Sequence, residues 1–496
     1  MTRAATISRE FAMNDDSNWE SAGTLHPDRL FPADAGTRAV ARRLYNTVRA
    51  LPIVSPHGHT DPRWFAQNAP FSDPVSLLLT PDHYITRMLY SRGLSLEEQG
   101  LTPAATGAAS VSESDLRAIW RKFAGHYHLF RGTPTRLWLD WVLCAVFGAE
   151  APLTAANADR TYDRIAERLA QDAFRPRALF ERFRIEVLTT TESPLDDLAH
   201  HAAIRASGWP GRIITAYRPD PVVDPQAPGF ASGLVRLAEI TGEDTSTWSG
   251  YLAAHRRRRA FFARMGATST DHGHPTARTA DLSAREAESL FTRIVRAARS
   301  GVVASADAEA FRAQMLTEMA RMSLDDGLVL QIHPGSWRNH NAALFERFGP
   351  NVGADIPVPT DYVGALRPLL NRFGNERSLT LIVFTLDESA YSRELAPLAG
   401  HYPALKLGPA WWFHDSPEGL MRFREQTTET AGFYNTVGFN DDTRAFCSIP
   451  ARHDVARRID CAFLARLVAE HRLPEEEAAE VACDLAYRLP KQAYRL

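Results

Sequence analysis

Eight short apolar runs, parted by helix-like segments along nearly the whole chain, restrict what this sequence can fold into. They are Leu51–Ser55, Ile185–Thr190, Arg212–Tyr217, Gly266–Thr270, Leu328–His333, Leu379–Thr385, Ala404–Leu407 and Tyr434–Phe439. Bounded by polar or turn-forming residues, such runs read as buried strands. Strands that alternate with helices pair in parallel. Eight such units predict an α/β fold of TIM-barrel type, a (β/α)₈ barrel whose chemistry-bearing side chains stand at the C-terminal strand ends. Six of the eight runs lead into such groups: His57 and His59, Thr191 and Glu192, Arg218 and Asp220, Asp271 and His272, His333, and Asp442.

One interval breaks this rhythm. Residues 61–180 are too many for a single crossover. Their stretches rich in Leu, Ala, Arg and aromatic residues, such as Ala118–Ala124 and Arg136–Leu143, predict a mainly helical insertion after the first strand, covering the mouth of a distorted barrel. The other divisions follow from this one. Residues 1–22, polar and without the apolar core of a signal peptide, read as a flexible N-terminal leader. Residues 23–60 begin the barrel and hold its first strand, and residues 181–496 complete it with C-terminal helices. Helices are expected over Asp281–Ala298 and Asp307–Ser323.

The chain has 496 residues, 45% of them hydrophobic, and a net charge of −3, which allows a large core and creates no field for nucleic acid or an anionic membrane. The basic run Arg256–Arg259 reads as a solvated helix face. No stretch approaches the ~20 apolar residues of a membrane span. Cys144, Cys447, Cys461 and Cys483 lie among apolar neighbours without a CxxC pair, so they read as buried thiols suited to a reducing cytoplasm.

The strand-end residues carry the chemistry. In Pro56-His57-Gly58-His59, alternation along a strand turns both imidazoles to one face, where they can grip a metal ion. In a closed barrel the first and last strands are neighbours, so Asp442 can complete that set; an isolated pair would otherwise read as hydrogen-bonded histidines. Asp82 is a natural N-cap, and His83 and Tyr84 behind it can dip into the mouth, Tyr84 as a hydrogen-bond donor or, if its pKa falls, a proton shuttle. Arg218 suits two-pronged binding of a carboxylate, and equally a loop-bracing pair with Asp220. His333 can reach a metal or a substrate oxygen, or be a core histidine bonded to backbone. Trp411-Trp412-Phe413 can wall a sugar face or simply pack. In Asp441-Asp442-Thr443-Arg444 the alternatives are a metal-side carboxylate with an anion-binding guanidinium, or a solvated turn.

Taken in order, His57-Gly-His59, Asp82-His83-Tyr84, Arg218-Pro-Asp220, Asp271-His-Gly273, Gln331-Ile-His333 with Arg338-Asn339, Trp411-Trp412-Phe413 and Asp442-Thr-Arg-Ala-Phe446 resemble the uronate (glucuronate) isomerase family of the amidohydrolase superfamily. The resemblance implies an aldose–ketose isomerase that converts D-glucuronate to D-fructuronate and D-galacturonate to D-tagaturonate. It implies one divalent metal ion, zinc being expected, on His57, His59 and Asp442, with no organic cofactor. It further implies a small-molecule hexuronate as partner and self-association into a homo-oligomer. In the implied mechanism Asp442 is the base at C2. Tyr84 and His333 move hydroxyl protons, Arg218, Arg444 and Arg338 bind substrate, the first two at its carboxylate, and His83 and Trp412 meet its hydroxyls. The chain departs from the family pattern at Ser55-Pro56, where many relatives read Asp-x-His-x-His, at Thr190-Thr-Glu-Ser193, and at His333-Pro334; the preferred uronate stays open. No counterpart of the superfamily's bridging lysine follows the fourth strand, which argues for one metal. The rival readings are a metal-dependent hydrolase acting on an acidic substrate and a non-catalytic sugar-acid binder.

Overall fold

The computed structural model describes residues 25–103 and 113–496; the leader expected over residues 1–22 lies outside the described residues. The strands in chain order are β1 (Ile53–Ser55), β2 (Ile185–Glu192), β3 (Arg212–Tyr217), β4 (Ser269–His272), β5 (Val329–Ile332), β6 (Ser336–Trp337), β7 (Ile356–Pro357), β8 (Leu381–Val383) and β9 (Leu405–Leu407). Seven form one curled, all-parallel sheet in the order β1-β2-β3-β4-β5-β8-β9. β6 and β7 pair antiparallel in a small ribbon outside it. An eighth station follows β9, where Thr436 bridges Leu407 in parallel. The Leu407 amide donates to the Asn435 carbonyl at 2.8 Å and the Val437 amide to Leu407 at 3.2 Å. The seam back to the first strand is held by the His59 amide, which donates to the Thr443 carbonyl at 3.0 Å. The architecture is the expected distorted barrel.

Sheet strands such as β1, β5 and β8 are buried along their whole length, as strands covered on both faces must be. Two differ from their sequence spans. β4 begins at Ser269 rather than Gly266, because Gly266, at φ +97°, closes the helix Trp248–Arg264 by donating to the Ala263 carbonyl. Asp271 and His272 are therefore in the strand, not beyond it. The run Tyr434–Phe439 shrinks to a single bridge. A turn from Phe433 to Thr436 precedes it and Gly438, at φ +77°, ends it, so no ladder can extend.

Between β1 and β2 the chain builds helices at Pro62–Gln67, Pro74–Leu78, His83–Ser91, Glu113–His126, Pro134–Trp141, Ala158–Leu169 and Pro176–Arg182. Asp61, Asp73, Asp82 and Thr133 cap four of them through their side chains, three with proline in the first turn behind the cap. Phe65, Trp120, Trp138 and Tyr162 from these helices share one core with Leu330 and Leu381 of the sheet. The helix expected over Asp281–Ala298 runs from Ala284 to Ser300, its start set by the Ser283/Glu286 capping box. The Arg256–Arg259 run is only half solvated, which corrects the sequence reading. Arg258 donates to the carbonyls of Pro194 and Asp196 at 2.7 and 2.6 Å, and Arg259 reaches Asp326 at 2.6 and 2.9 Å. Helical periodicity turns those two arginines inward while Arg256 and Arg257 stay exposed. All four cysteines are buried. No described helix is long and apolar enough to cross a membrane.

Candidate functional site

Because the sheet is parallel, the C-terminal ends of its strands open on one rim. A cavity of about 340 Å³ lies there. His57, His59, His83, Tyr84, Arg218, His333, Arg338, Trp412, Asp442 and Arg444 all line it.

Its floor is built on β1 and the barrel seam. His57 is buried and His59 is a quarter exposed; their Nε2 atoms stand 3.4 and 3.1 Å from Asp442 Oδ1. The rings meet edge-on with centroids 5.2 Å apart. Asp442 is a non-glycine residue at φ +39°, a sparsely populated conformation that aims its carboxylate at the two rings. Its other oxygen accepts the indole N–H of Trp411. Burial opposes ionisation of Asp442, yet His57 and His59 beside it hold the carboxyl far below the usual carboxylate range. Enclosure lowers His59 to about 4, against the pull of Asp442, so it is a neutral imidazole at neutral pH.

These donors fit a metal ion. One ligand atom from each of His57, His59 and Asp442 lies within 4.8 Å of the others, and Asp442 Oδ1 is buried with no hydrogen-bond donor. Two imidazoles and a carboxylate are a common zinc set.

The wall comes from β3, β4 and β5. His333 stacks on His57 at 4.7 Å and on Phe384 at 4.0 Å. Its Nδ1 is 2.7 Å from Asp271 Oδ1, while its Nε2 is buried without a partner. Burial lowers the His333 pKa, so the neutral ring donates from Nδ1 to Asp271 and keeps Nε2 bare. Arg218 donates to Asp220 at 2.9 Å and to Asp271 at 2.8 Å. Arg218 thus braces the loop as the second reading has it, and it also faces the cavity.

The roof is the helix His83–Ser91 and the loops after β6 and β9. Asp82 caps that helix by accepting from the Tyr84 amide at 2.9 Å. The His83 and Tyr84 rings stack at 4.7 Å, and His83 meets Trp412 edge-on at 5.5 Å. Burial pushes His83 down to about 3 and leaves its Nε2 without a partner. The Tyr84 hydroxyl donates to the Trp412 carbonyl at 2.8 Å, and burial raises this phenol above its usual range. The condition set for Tyr84 as a shuttle, a lowered pKa, is therefore not met; it is a neutral donor. Arg444 donates to Asn351 at 3.0 Å, and Arg338 lies 3.8 Å from Asp355 and over the Trp412 ring.

Sequence reasoning passed over Asn351 and Asp355, which reach the cavity from the segment between the ribbon strands. It also passed over His453, which pairs with Asp441 at 3.0 Å, and the pair Asp415 with Arg452 at 2.6 Å, which lines the cavity. A scan for polar residues repeating along the helix Ile449–Ala469, otherwise nearly all buried, would have flagged Arg452 and His453.

Comparison with known proteins agrees with this arrangement. Residues 35–494 match the family model described as glucuronate isomerase. A uronate isomerase of Phenylobacterium zucineum is 69% identical over 95% of this chain and 97% of its own length. One of Xanthomonas axonopodis pv. citri is 67% identical over 95% and 99%. The crystal structure of glucuronate isomerase from Caulobacter crescentus superposes with a TM-score of 0.92 at 62% identity, covering 95% of this chain and 97% of that one. That of uronate isomerase from Thermotoga maritima gives 0.86 at 26% identity, covering 95% and 99%. With a match of this extent and a rim to fit it, the chain belongs to the glucuronate isomerase family.

Proposed function

We propose that this isomerase interconverts D-glucuronate with D-fructuronate, and D-galacturonate with D-tagaturonate, through a cis-enediol. The observation that carries the reading is that one cavity of about 340 Å³ unites two arginines, an ionised carboxylate and a neutral histidine with a bare nitrogen. Arg218 and Arg444 suit the carboxylate of an open-chain uronate, with Arg338 beside them. Asp442 takes the proton from C2 while the proton of the C2 hydroxyl moves to O1, giving the cis-enediol as its O2 anion. The proton held by Asp442 then returns to C1 as O2 becomes the carbonyl, leaving the ketose. His333 carries the oxygen-to-oxygen transfer: Nε2 accepts from O2–H and delivers to O1, with Asp271 holding the ring through Nδ1. Tyr84 joins that transfer as a neutral donor when its hydroxyl leaves the Trp412 carbonyl, and His83 and Trp412 meet the sugar hydroxyls. His57, His59 and Asp442 would hold one divalent ion, zinc by preference, which when bound supplies a Lewis acid for substrate oxygens. Hydrolysis on the same donors is not favoured by the family match or by two arginines suited to an acidic sugar. Action in the cytoplasm is supported by buried cysteines without a disulfide framework, and self-association is carried over from the family.

The test is direct. Incubated with D-glucuronate, the purified protein should produce the ketose, followed by NMR, and Asp442→Asn should not. A wild-type protein that leaves both uronates unchanged would defeat the reading.

A further inference from the structure

A second group of ligating side chains lies behind Arg218, outside the cavity lining. His272 ends β4, His274 follows two residues later, and Asp220 opens the loop after β3. One ligand atom of each lies within 4.8 Å of the others. The two rings stand nearly perpendicular with centroids 5.7 Å apart, and both histidines are buried.

Their hydrogen bonding is incomplete in a directed way. The Thr270 hydroxyl lies 3.1 Å from His272 Nε2 and engages that side of the ring, while Nδ1 is buried with no partner. A ring so engaged on one nitrogen is free to ligate through the other. His274 buries both ring nitrogens without a partner. Asp220 accepts from the Gly273 amide at 3.1 and 3.0 Å and from Arg218 at 2.9 Å, the last on Oδ2, so Oδ1 keeps capacity to spare. Unpaired buried polar atoms are rare in native proteins, and two neighbouring imidazoles that both bury bare nitrogens beside a carboxylate call for an occupant. The nearby cations are already matched: Arg218 by Asp220 and Asp271, Arg312 by Asp224 at 2.7 Å and Glu309 at 3.0 Å. Burial drives both imidazoles toward the neutral, ligating form.

We propose that Asp220, His272 and His274 bind one divalent transition-metal ion, separate from any ion on His57, His59 and Asp442. Two imidazoles and a carboxylate suit zinc or cobalt over magnesium or calcium. The ion ties the end of β4 to the loop that carries Arg218 and so fixes that guanidinium from behind. Gly273 belongs to the same close approach, since a Cβ there would stand 2.8 Å from Asp220 Oδ2.

The experiment uses the full chain with His57→Asn and His59→Asn, stripped with chelator and titrated with cobalt(II). That variant should take up about one equivalent, with a visible d–d band and a thermal midpoint that rises with cobalt concentration. Adding His274→Gln should abolish the uptake, the band and the rise. No cobalt bound by the His57/His59 variant, or undiminished binding after His274→Gln, would overturn the proposal. Should the third substitution prevent folding, hyperfine-shifted imidazole N–H signals in the cobalt-loaded His57/His59 variant decide. Signals from two histidines support the site, and their absence overturns it. Wild-type stoichiometry keeps the two sites apart: if it binds no more cobalt than the His57/His59 variant, the first site fails and the second stands.

Discussion

Asp442 is held on every side: two imidazoles on one oxygen, an indole N–H on the other, and a left-handed backbone that few aspartates adopt. Two predictions belong here. Asp442→Asn should lower kcat beyond the ~10²–10⁴-fold typical of losing a general base, because the amide also weakens the metal cradle. Trp411→Phe removes one hydrogen bond to a charged group, worth about 1.5–3 kcal/mol. It should lower kcat roughly 10- to 100-fold and leave KM nearly unchanged; a change confined to KM would show that the indole serves binding instead. Asp442 and the two histidines were legible as residues because each follows an apolar run. Trp411 was legible only as a wall, since nothing in a Trp-Trp-Phe triplet says which ring turns to a carboxylate. Asn351 and Asp355 were invisible because they sit in a loop segment with no strand to announce it.

Among the elements, β2 carries a titrating group. Burial raises Glu192, at the end of that strand, from its ordinary 4.5 to about 7, although the hydroxyls of Thr215 and Thr190 donate to it. A carboxyl whose folded pKa is raised binds more protons in the folded state between those two values. Stability should therefore fall as pH rises from about 4.5 to about 7, by up to ~1.4 kcal/mol per pH unit. Urea titrations should show that dependence shrink in Glu192→Gln; an unchanged slope would place its origin elsewhere. Strand periodicity located β2 within two residues and failed at the eighth station. There a turn and a glycine at positive φ frame a run that is apolar enough to be a strand but too tightly bracketed to pair as one. Arg258 and Arg259 make the same point for helices. A run of four like charges says nothing about which face is buried, and the partners that accept those guanidiniums are remote in sequence.

For the whole molecule, the roof decides how the proton travels. Helix His83–Ser91 and the Trp412 loop, tied together by the Tyr84 hydroxyl, cover the floor where Asp442 sits. A base shielded from bulk water returns the proton that it removed. Isomerisation in D₂O should therefore place little deuterium at C1 of the ketose, read by NMR. Complete incorporation would mean an exposed base or a different residue. The barrel itself was readable because parallel strands need separated apolar runs. The depth of the cavity was not, because it depends on how the helices after β1 fold back over the rim.

The seam between the first and last strand stations has a consequence in time. Two of the three ligands of the proposed metal cradle are near the start of the chain, and Asp442, the proposed base, stands near its end. The two meet at the barrel seam, where the His59 amide donates to the Thr443 carbonyl. Contacts so distant in sequence form late and slowly. On the ribosome, most of this protein is made before its catalyst can exist. A nascent chain stalled before Asp442 holds two ligands of the cradle and no base, and the last segment to emerge sets the moment at which sugar chemistry begins.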